Sequence, residues 1–395
     1  MPKLTPHYHW VIPEAHAVSA ATIEDAKRRG LSARALRVLS RRGPVDPAEL
    51  ASRFDEPAAG LHAPSLLPDA AVVQERVAAA GRDGESVMVL GDFDADGLTG
   101  LAILTLALRR LGLTVEPYVP DRTGEGHGLS ADAVEHARAA GHRLIVTADT
   151  GSTSTNEVTA ARAAGIDVIV TDHHVLGAEV PDATALVNAQ RPDSDYPDRR
   201  LSGAGVAFKV AQLLLADEPG GPDEALALAD LAAVGSIADV VPIVGENRSI
   251  VRLGLAQLER APRPGLAALM ANARIDRDGV STDDIAVGLA PRINAMGRIG
   301  DPTVAARLLL APDALTAQDL AAELEAANTR RRELTTAAMT EARERLDQSP
   351  DAPFLVLEGD WPVGIIGLVA GRLAEEQGRP TLVLSTSVEP WRGSA

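Results

Sequence analysis

Cysteine is absent from all 395 residues. That excludes a disulfide scaffold, a thiol nucleophile and any metal site built on thiolates. Aromatic residues make up only 3%, and arginine far outnumbers lysine, both in keeping with a biased genomic composition. There is no long uninterrupted apolar run. The longest such stretch, Leu226–Gly245, carries Asp230 and Asp239, and each would cost about 2.5–3.5 kcal/mol at a bilayer centre. The start, MPKLTPHYHWVIPEAH, lacks the basic-then-apolar pattern of an export signal. The expectation is a soluble, cytoplasmic protein with no membrane partner. Positive charge is also in deficit: 38 Lys and Arg face 55 Asp and Glu, for a net charge of −17. This argues against general polyanion binding but leaves room for a local basic groove or for phosphate contact through a metal. The remaining composition, 46% apolar and 24% charged, is that of a globular chain.

The pattern changes along the chain. Up to about Gly81 it is helical, with segments Ala20–Arg29, Ala33–Ser40 and Asp69–Ala80 between Pro and Gly breaks. Four short apolar, β-branched runs follow: Ser86–Leu90, Thr114–Val119, Arg143–Thr147 and Asp167–Thr171. Helical segments Leu98–Leu111, Ala131–Ala140 and Asn156–Ala164 lie between them, which predicts βαβ units and a parallel sheet. Ala185–Val187 adds a fifth strand. Helical pattern returns in Val206–Asp217, Asp223–Val234 and Val251–Leu258, and Ala314–Gln348 reads as one or two exposed linking helices. Pro353–Glu358, Val363–Gln377 and Pro380–Ser385 then repeat β, α, β. With only about 45 residues, this last part is too short for an independent core, and the expectation is an incomplete second α/β domain.

Acidic residues collect where these strands end. The first is followed by Gly91-Asp92-Phe93-Asp94-Ala95-Asp96-Gly97, the third by Asp149-Thr150-Gly151, and the fourth by Asp172-His173-His174. Ligands of an open parallel sheet bind outside the carboxyl ends of its strands, so five Asp and two His share one edge. Two carboxylates about 4 Å apart repel by about 4 kcal/mol at an effective dielectric of about 20. Several such pairs exceed a domain's whole stability of about 5–15 kcal/mol. Either the groups stand apart, some are protonated, or divalent metal lies between them. An Asp at a strand end is commonly just a helix N-cap, and a lone His is commonly structural. The joint pattern with histidine favours metal. Asp94 and Asp96, alternating in an irregular loop, can address two ions with a third carboxylate bridging. Oxygen and imidazole donors suit Mn²⁺ better than Mg²⁺, and zinc also fits.

At these residues the chain resembles the DHH phosphoesterase superfamily. Asp94-Ala95-Asp96-Gly97, Asp149 with Gly151, and Asp172-His173-His174 match its first three motifs in order and spacing. Gly235-Ser236-Ile237-Ala238-Asp239-Val240-Val241-Pro242 matches a fourth. Supporting stretches are Gly124-Glu125-Gly126-His127-Gly128-Leu129, Leu201-Ser202-Gly203-Ala204-Gly205, Ala290-Pro291-Arg292-Ile293-Asn294-Ala295-Met296-Gly297-Arg298 and Gly364-Ile365-Ile366-Gly367. The final Gly393-Ser394-Ala395 resembles the glycine-serine substrate motif of the second domain.

The resemblance implies an α/β fold. A parallel-sheet DHH domain has helices on both faces, long linking helices follow, and a smaller DHHA1-type α/β domain comes last. The expected divisions are an N-terminal helical extension over 1–81, a catalytic domain over 82–250, a helical connector over 251–350 and the start of the substrate-binding domain over 351–395. The implied activity is that of a metal-dependent 5′→3′ exonuclease, a phosphodiesterase that takes single-stranded DNA to mononucleotides in repair and recombination. Two divalent ions, Mn²⁺ in preference to Mg²⁺, are the implied cofactors.

Carried over by position, Asp94, Asp96, Asp149, His173 and Asp239 are the expected metal ligands, with Asp149 bridging. His174 faces the scissile phosphate, and Asp172 orients a histidine from behind. Arg122 after the second strand, Arg298 in a glycine-flanked loop, Asn294, and Ser394 from the second domain are the candidates for holding substrate phosphate. A surface salt bridge is the alternative for either arginine, and a turn residue for Asn294. Two positions depart from the resemblance: Leu90 stands where some members have His, and His127 where Tyr is expected. A cleft between the domains wide enough for one strand would select against duplex. Two rival readings share the motifs. One is a relative acting on small nucleotides or pyrophosphate, and the other is a non-catalytic nucleic-acid-binding relative with a decayed site. The second predicts missing acidic positions, whereas every matched one is present.

Overall fold

The computed structural model describes residues 11–121, 124–346 and 353–395. Packing divides the chain into two units, Met1–Leu61 and His62–Ala395. In the first, three short helices are each started by a side-chain cap. Ser19, Ser32 and Asp46 accept backbone N–H groups at the heads of α1 (Ala20–Arg28), α2 (Ala33–Arg42) and α3 (Pro47–Phe54). Ala26, Leu36, Val45 and Leu50 form their small core.

The second unit begins with α4 (Ala70–Asp83) and then builds a five-stranded sheet. Its strands are β1 (Ser86–Gly91), β2 (Thr114–Tyr118), β3 (Leu144–Ala148), β4 (Asp167–Thr171) and β5 (Ala185–Val187). All pair in parallel, in the order β2-β1-β3-β4-β5. The crossovers are α5 (Ala95–Arg110), α6 (Ala131–Ala140) and α7 (Thr155–Ala163). Side chains alternate across a strand. Met88, Leu90, Ile145, Val168 and Val170 therefore point to one face, where they bury Ala133, Ala137, Val158 and Ala161 of α6 and α7. The opposite face packs against α5 and α8 (Gly203–Leu214). Being covered on both sides, the strands need no polar face, and Val87 through Leu90 are all fully buried.

Beyond the sheet come α9 (Gly221–Ala227), α10 (Ala229–Ala238), α11 (Gly245–Arg260), α12 (Pro264–Ala273), α13 (Ala290–Ile299) and α14 (Thr303–Leu309). The segment Asp223–Val234, expected as one helix, is broken at Leu228 into α9 and α10. Between α11 and the linker, where a helical connector was expected without individual helices placed, lie α12 to α14. The linker is one 33-residue helix, α15 (Ala314–Leu346). The expected boundary at 350/351 lies outside the described residues. A second sheet of β6 (Leu355–Gly359), β7 (Thr381–Ser385) and β8 (Arg392–Ser394) carries α16 (Val363–Gln377) between its parallel pair, with β8 antiparallel. Ile365, Val369, Leu373 and Val383 pack there with Ala338, Met339 and Ala342 of α15. Among the described residues no helix is long and apolar enough to cross a membrane.

Candidate metal centre

Strand order reverses between β1 and β3, and at such a switch point a crevice opens at the carboxyl ends of the strands. Register fixes what lies there. Gly91 pairs with Ala148, so the residues that follow them, Asp92 and Asp149, leave the sheet side by side.

The turn after β1 is tight. A Cβ at Gly91 would lie 2.6 Å from the Gly97 carbonyl oxygen, and one at Gly97 would lie 2.5 Å from that of Asp92. Glycine at both ends folds the acidic segment back over the start of α5. The expected irregular loop is shorter than the sequence suggested. Asp94 is the N-cap of α5, accepting the N–H groups of Asp96 and Gly97 at 3.0 Å, and Asp96 already lies in the first turn. Capping and cluster membership coexist in Asp94. Asp96 is 1% exposed and accepts from Gly203 N (2.7 Å) and Ala204 N (3.0 Å) at the head of α8.

Asp149, directly after β3, has a φ of 62°, a left-handed conformation that Asp tolerates at modest cost. Its Oδ1 lies 3.1 Å from His173 Nε2. The pair is not aligned as a hydrogen bond, and both atoms are buried without a partner. His173 Nε2 also faces Asp239 Oδ2 at 3.7 Å and Asp96 Oδ2 at 3.9 Å. Asp239 caps the end of α10 and precedes Val240, whose φ of 61° is a strained conformation for a β-branched residue. Donor atoms of Asp96, His173 and Asp239 all fall within 4.8 Å of one another, and so do those of Asp92, Asp94 and Asp149. Asp149 with His173 and His174 forms a third such group. Asp149 thus belongs to the acidic set on one side and touches the histidine set on the other.

These carboxylates are under electrostatic stress. Burial pushes Asp96 up to about 7, with His173 opposing and Asp239 and Asp94 adding to the rise. Burial, then the charges of Asp96 and Asp94, hold Asp149 well above the usual carboxylate range. Asp94 is raised by burial against the Gly97 N–H, and Asp239 by burial against His173 and His174. Orphaned donor atoms, raised carboxylates and a mixed oxygen and imidazole set together fit divalent cations, which would relieve all three.

Asp172 stands behind this layer. Its Oδ1 meets His174 Nδ1 at 2.8 Å and accepts His173 N at 2.7 Å, while Oδ2 accepts Ser152 N at 2.9 Å. Burial raises its pKa, but the hydrogen bond and charge of His174 and the Ser152 contacts outweigh this and bring it down to about 2. The same hydrogen bond lifts His174 to about 9 against its burial. The His174 side chain is 59% exposed, facing outward from the cluster.

The structure therefore gathers Asp94, Asp96, Asp149, Asp172, His173, His174 and Asp239. It adds Asp92, whose Oδ1 is buried without a partner. Sequence reasoning counted Asp92 among the strand-end carboxylates but not among the donors. The alternation Asp92, Asp94, Asp96 was the available signal. His127 lies beside it, its Nδ1 3.6 Å from Asp92 Oδ2 and its ring 4.6 Å from that of Phe93.

The phosphate candidates fare differently. Arg122 lies outside the described residues. Arg298 is in α13 rather than in a loop, and its Nη1 donates to Gly364 O at 3.2 Å. Asn294 is turned to the chain itself, its Oδ1 accepting Ala95 N at 2.7 Å beside the acidic turn. Ser394 lies on β8, its Oγ close over Gly367 of α16. A Cβ at Gly297 would lie 2.6 Å from the Phe93 carbonyl oxygen, and one at Gly364 would overlap the Arg298 carbonyl. Glycines thus clamp α13 between the acidic turn and α16.

A doubly covered parallel sheet with Asp and His donors gathered at its switch point is the arrangement of a DHH phosphoesterase domain. The DHH family, N-terminal domain, matches residues 86–236. The chain is 38% identical over 317 residues to the single-stranded-DNA-specific exonuclease RecJ of Bacillus subtilis, covering 80% of this chain and 40% of that protein. Against RecJ of Thermus thermophilus it is 39% identical over 334 residues, covering 84% and 48%. A crystal structure of exonuclease RecJ bound to manganese superposes with a TM-score of 0.73 at 37% identity, covering 80% of each chain. The chain belongs to the DHH family, in its RecJ group. It spans about half or less of the length of the curated RecJ proteins named above.

Proposed function

We propose that this chain is the catalytic part of a metal-dependent, single-strand-specific 5′→3′ DNA exonuclease that releases mononucleotides and serves DNA repair and recombination in the cytoplasm. The observation that carries the reading is the facing pair Asp149 Oδ1 and His173 Nε2, buried and partnerless at the meeting of two donor groups. Asp92, Asp94 and Asp149 would hold one ion, and Asp96, His173 and Asp239 another, Mn²⁺ or Mg²⁺, with Asp149 reaching both. Such ions supply a nucleophile at neutral pH and a clamp on the phosphodiester oxygens. They also offset the net charge of −17 at the place where a polyanion must approach.

The protein's own groups do the rest. The head of α8 holds Asp96 by two N–H donors, which fixes its carboxylate without a counter-charge. Asp172 takes the Nδ1 side of His174, leaving Nε2–H for a phosphate oxygen. In the metal-free protein the hydrogen bond to Asp172 lifts His174 to about 9, which favours the imidazolium that can donate from Nε2. Arg122, Arg298 and Ser394 are proposed to hold the terminal phosphate, which would give the exonuclease its end specificity. Residues 351–395 are proposed as part of a substrate-binding module, 251–350 as connector, 82–250 as catalytic domain and 1–81 as extension.

The test is a nuclease assay with 3′-labelled single-stranded DNA and Mn²⁺. The strand should shorten from the other end while duplex is spared, and Asp149→Ala should abolish cleavage. Undiminished cleavage by that variant would overturn the assignment.

A further inference from the structure

Away from the strand ends, a second set of donors converges at the middle of the edge strand. Glu116 of β2 receives two histidines at once. His136 Nε2 of α6 lies 2.8 Å from its Oε1, and His142 Nε2, from the turn before β3, lies 2.8 Å from its Oε2. All three donor atoms fall within 4.8 Å of one another. Nothing in the exonuclease reading uses them.

We propose that Glu116, His136 and His142 form a zinc-binding site. Four observations support it. First, two imidazoles and a carboxylate are a common zinc donor set, and tetrahedral donors at about 2.0–2.2 Å stand about 3.4 Å apart, so only small side-chain rotations are needed. Second, His142 Nδ1 is already engaged by Ser86 Oγ at 2.7 Å, which fixes the ring and leaves Nε2 to point at the site. That is the outer hydrogen bond a metal-ligating histidine requires. Third, among the described residues no Lys or Arg pairs with Glu116, so its carboxylate faces only the two imidazoles. Fourth, burial is graded: the side chain of His142 is 6% exposed, while those of His136 and Glu116 are each 42% exposed. The inner ligand is rigid, the outer two are open to an entering ion, and the fourth position is left for water.

A bound ion here staples strand to crossover helix. Glu116 lies two residues before the end of β2, and His136 is in α6, which follows the Asp121–Ser130 segment. The Tyr118 ring rests on His136 with centroids 4.9 Å apart.

The whole chain, stripped with EDTA and dialysed against zinc, should bind one more zinc per chain than His136→Ala, measured by plasma mass spectrometry. Asp149→Ala should retain that ion while losing those of the strand-end centre. Ser86→Ala should weaken the site about 10–100-fold. His136 is exposed on a helix surface, so its truncation should leave the fold intact. Equal zinc content in wild type and His136→Ala overturns the proposal. Independently of any variant, crystals soaked in zinc should give an anomalous peak bonded to both Nε2 atoms. Its absence would mean that the three side chains form a hydrogen-bonded cluster only.

Discussion

Adding one methyl group at Gly203 should disable the centre without unfolding the protein. Gly203 opens α8 and gives its N–H to Asp96. A Cβ there would lie 2.4 Å from Asp149 Cβ, 2.5 Å from its Oδ1 and 2.6 Å from its Cγ. Carbon atoms rest about 3.5–4.0 Å apart, so Asp149 and the α8 start must separate by about 1 Å. Neither side can yield freely, because Asp149 is 4% exposed in a left-handed conformation and Gly203 is anchored through Asp96. Overpacking of this kind costs about 1–3 kcal/mol, against a total stability of about 5–15 kcal/mol, so Gly203→Ala should fold. A displacement of about 1 Å at a catalytic group costs about 100-fold in rate. The expectation is a loss of that order in kcat for single-stranded DNA with Mn²⁺, with circular dichroism unchanged and KM moving much less. An unchanged kcat in the folded variant would refute the claim that Asp149 is held in place by this contact.

Other outcomes follow from particular contacts. In EDTA-treated protein, Asp172→Asn should return His174 from about 9 towards its ordinary 6.5, followed by NMR titration. Because the folded pKa is raised, this proton stabilises the fold fully below about pH 6.5 and the contribution fades as pH rises through about 9. The variant should lack that dependence, and a midpoint still near 9 would show that Asp172 is not its cause. Lys209 and Glu246, both 0% exposed, pair at 3.1 Å in the core, where burial pushes the lysine pKa down against the pull of Glu246. Lys209→Met strands the carboxylate, and urea denaturation should show a loss of about 3–5 kcal/mol. Asn294→Ala removes the acceptor for Ala95 N–H and should cost about 1–3 kcal/mol while weakening Mn²⁺ binding. If DNA affinity fell with Mn²⁺ affinity intact, Asn294 would be a phosphate-binding residue.

The sheet was legible because its strands are apolar runs between turn residues. β4 and β5 fall on the residues expected, and β1 and β3 each run one residue further, since Gly91 and Ala148 go on pairing. Within the expected helical connector, the individual helices α12 to α14 were not legible. Pro264, Pro291 and Pro302 read as breaks in a sequence, but proline at the head of a helix is a start signal, and all three stand at helix beginnings. Arg298 was misplaced for a related reason. The glycine beside it, Gly297, is not a loop residue but the one side chain small enough to let α13 touch the Phe93 carbonyl. The three Asp and His motifs come together in the fold because each follows a strand that ends at the same edge of the sheet. Asp92 was missed because nothing in the sequence says which way the side chains of a folded-back turn point. Asn294 and Gly203 act across more than a hundred residues of sequence, through contacts that only packing creates.

The donors of the centre enter the chain in order from Asp92 to Asp239. Asp239, at the end of α10, is the one that does not follow a strand of the sheet. About 150 residues of chain separate the first of these side chains from the last, so the set of Asp96, His173 and Asp239 is completed well after that of Asp92, Asp94 and Asp149. Until α10 has docked, the growing polypeptide holds the Asp92, Asp94 and Asp149 set without the one that His173 shares with Asp239.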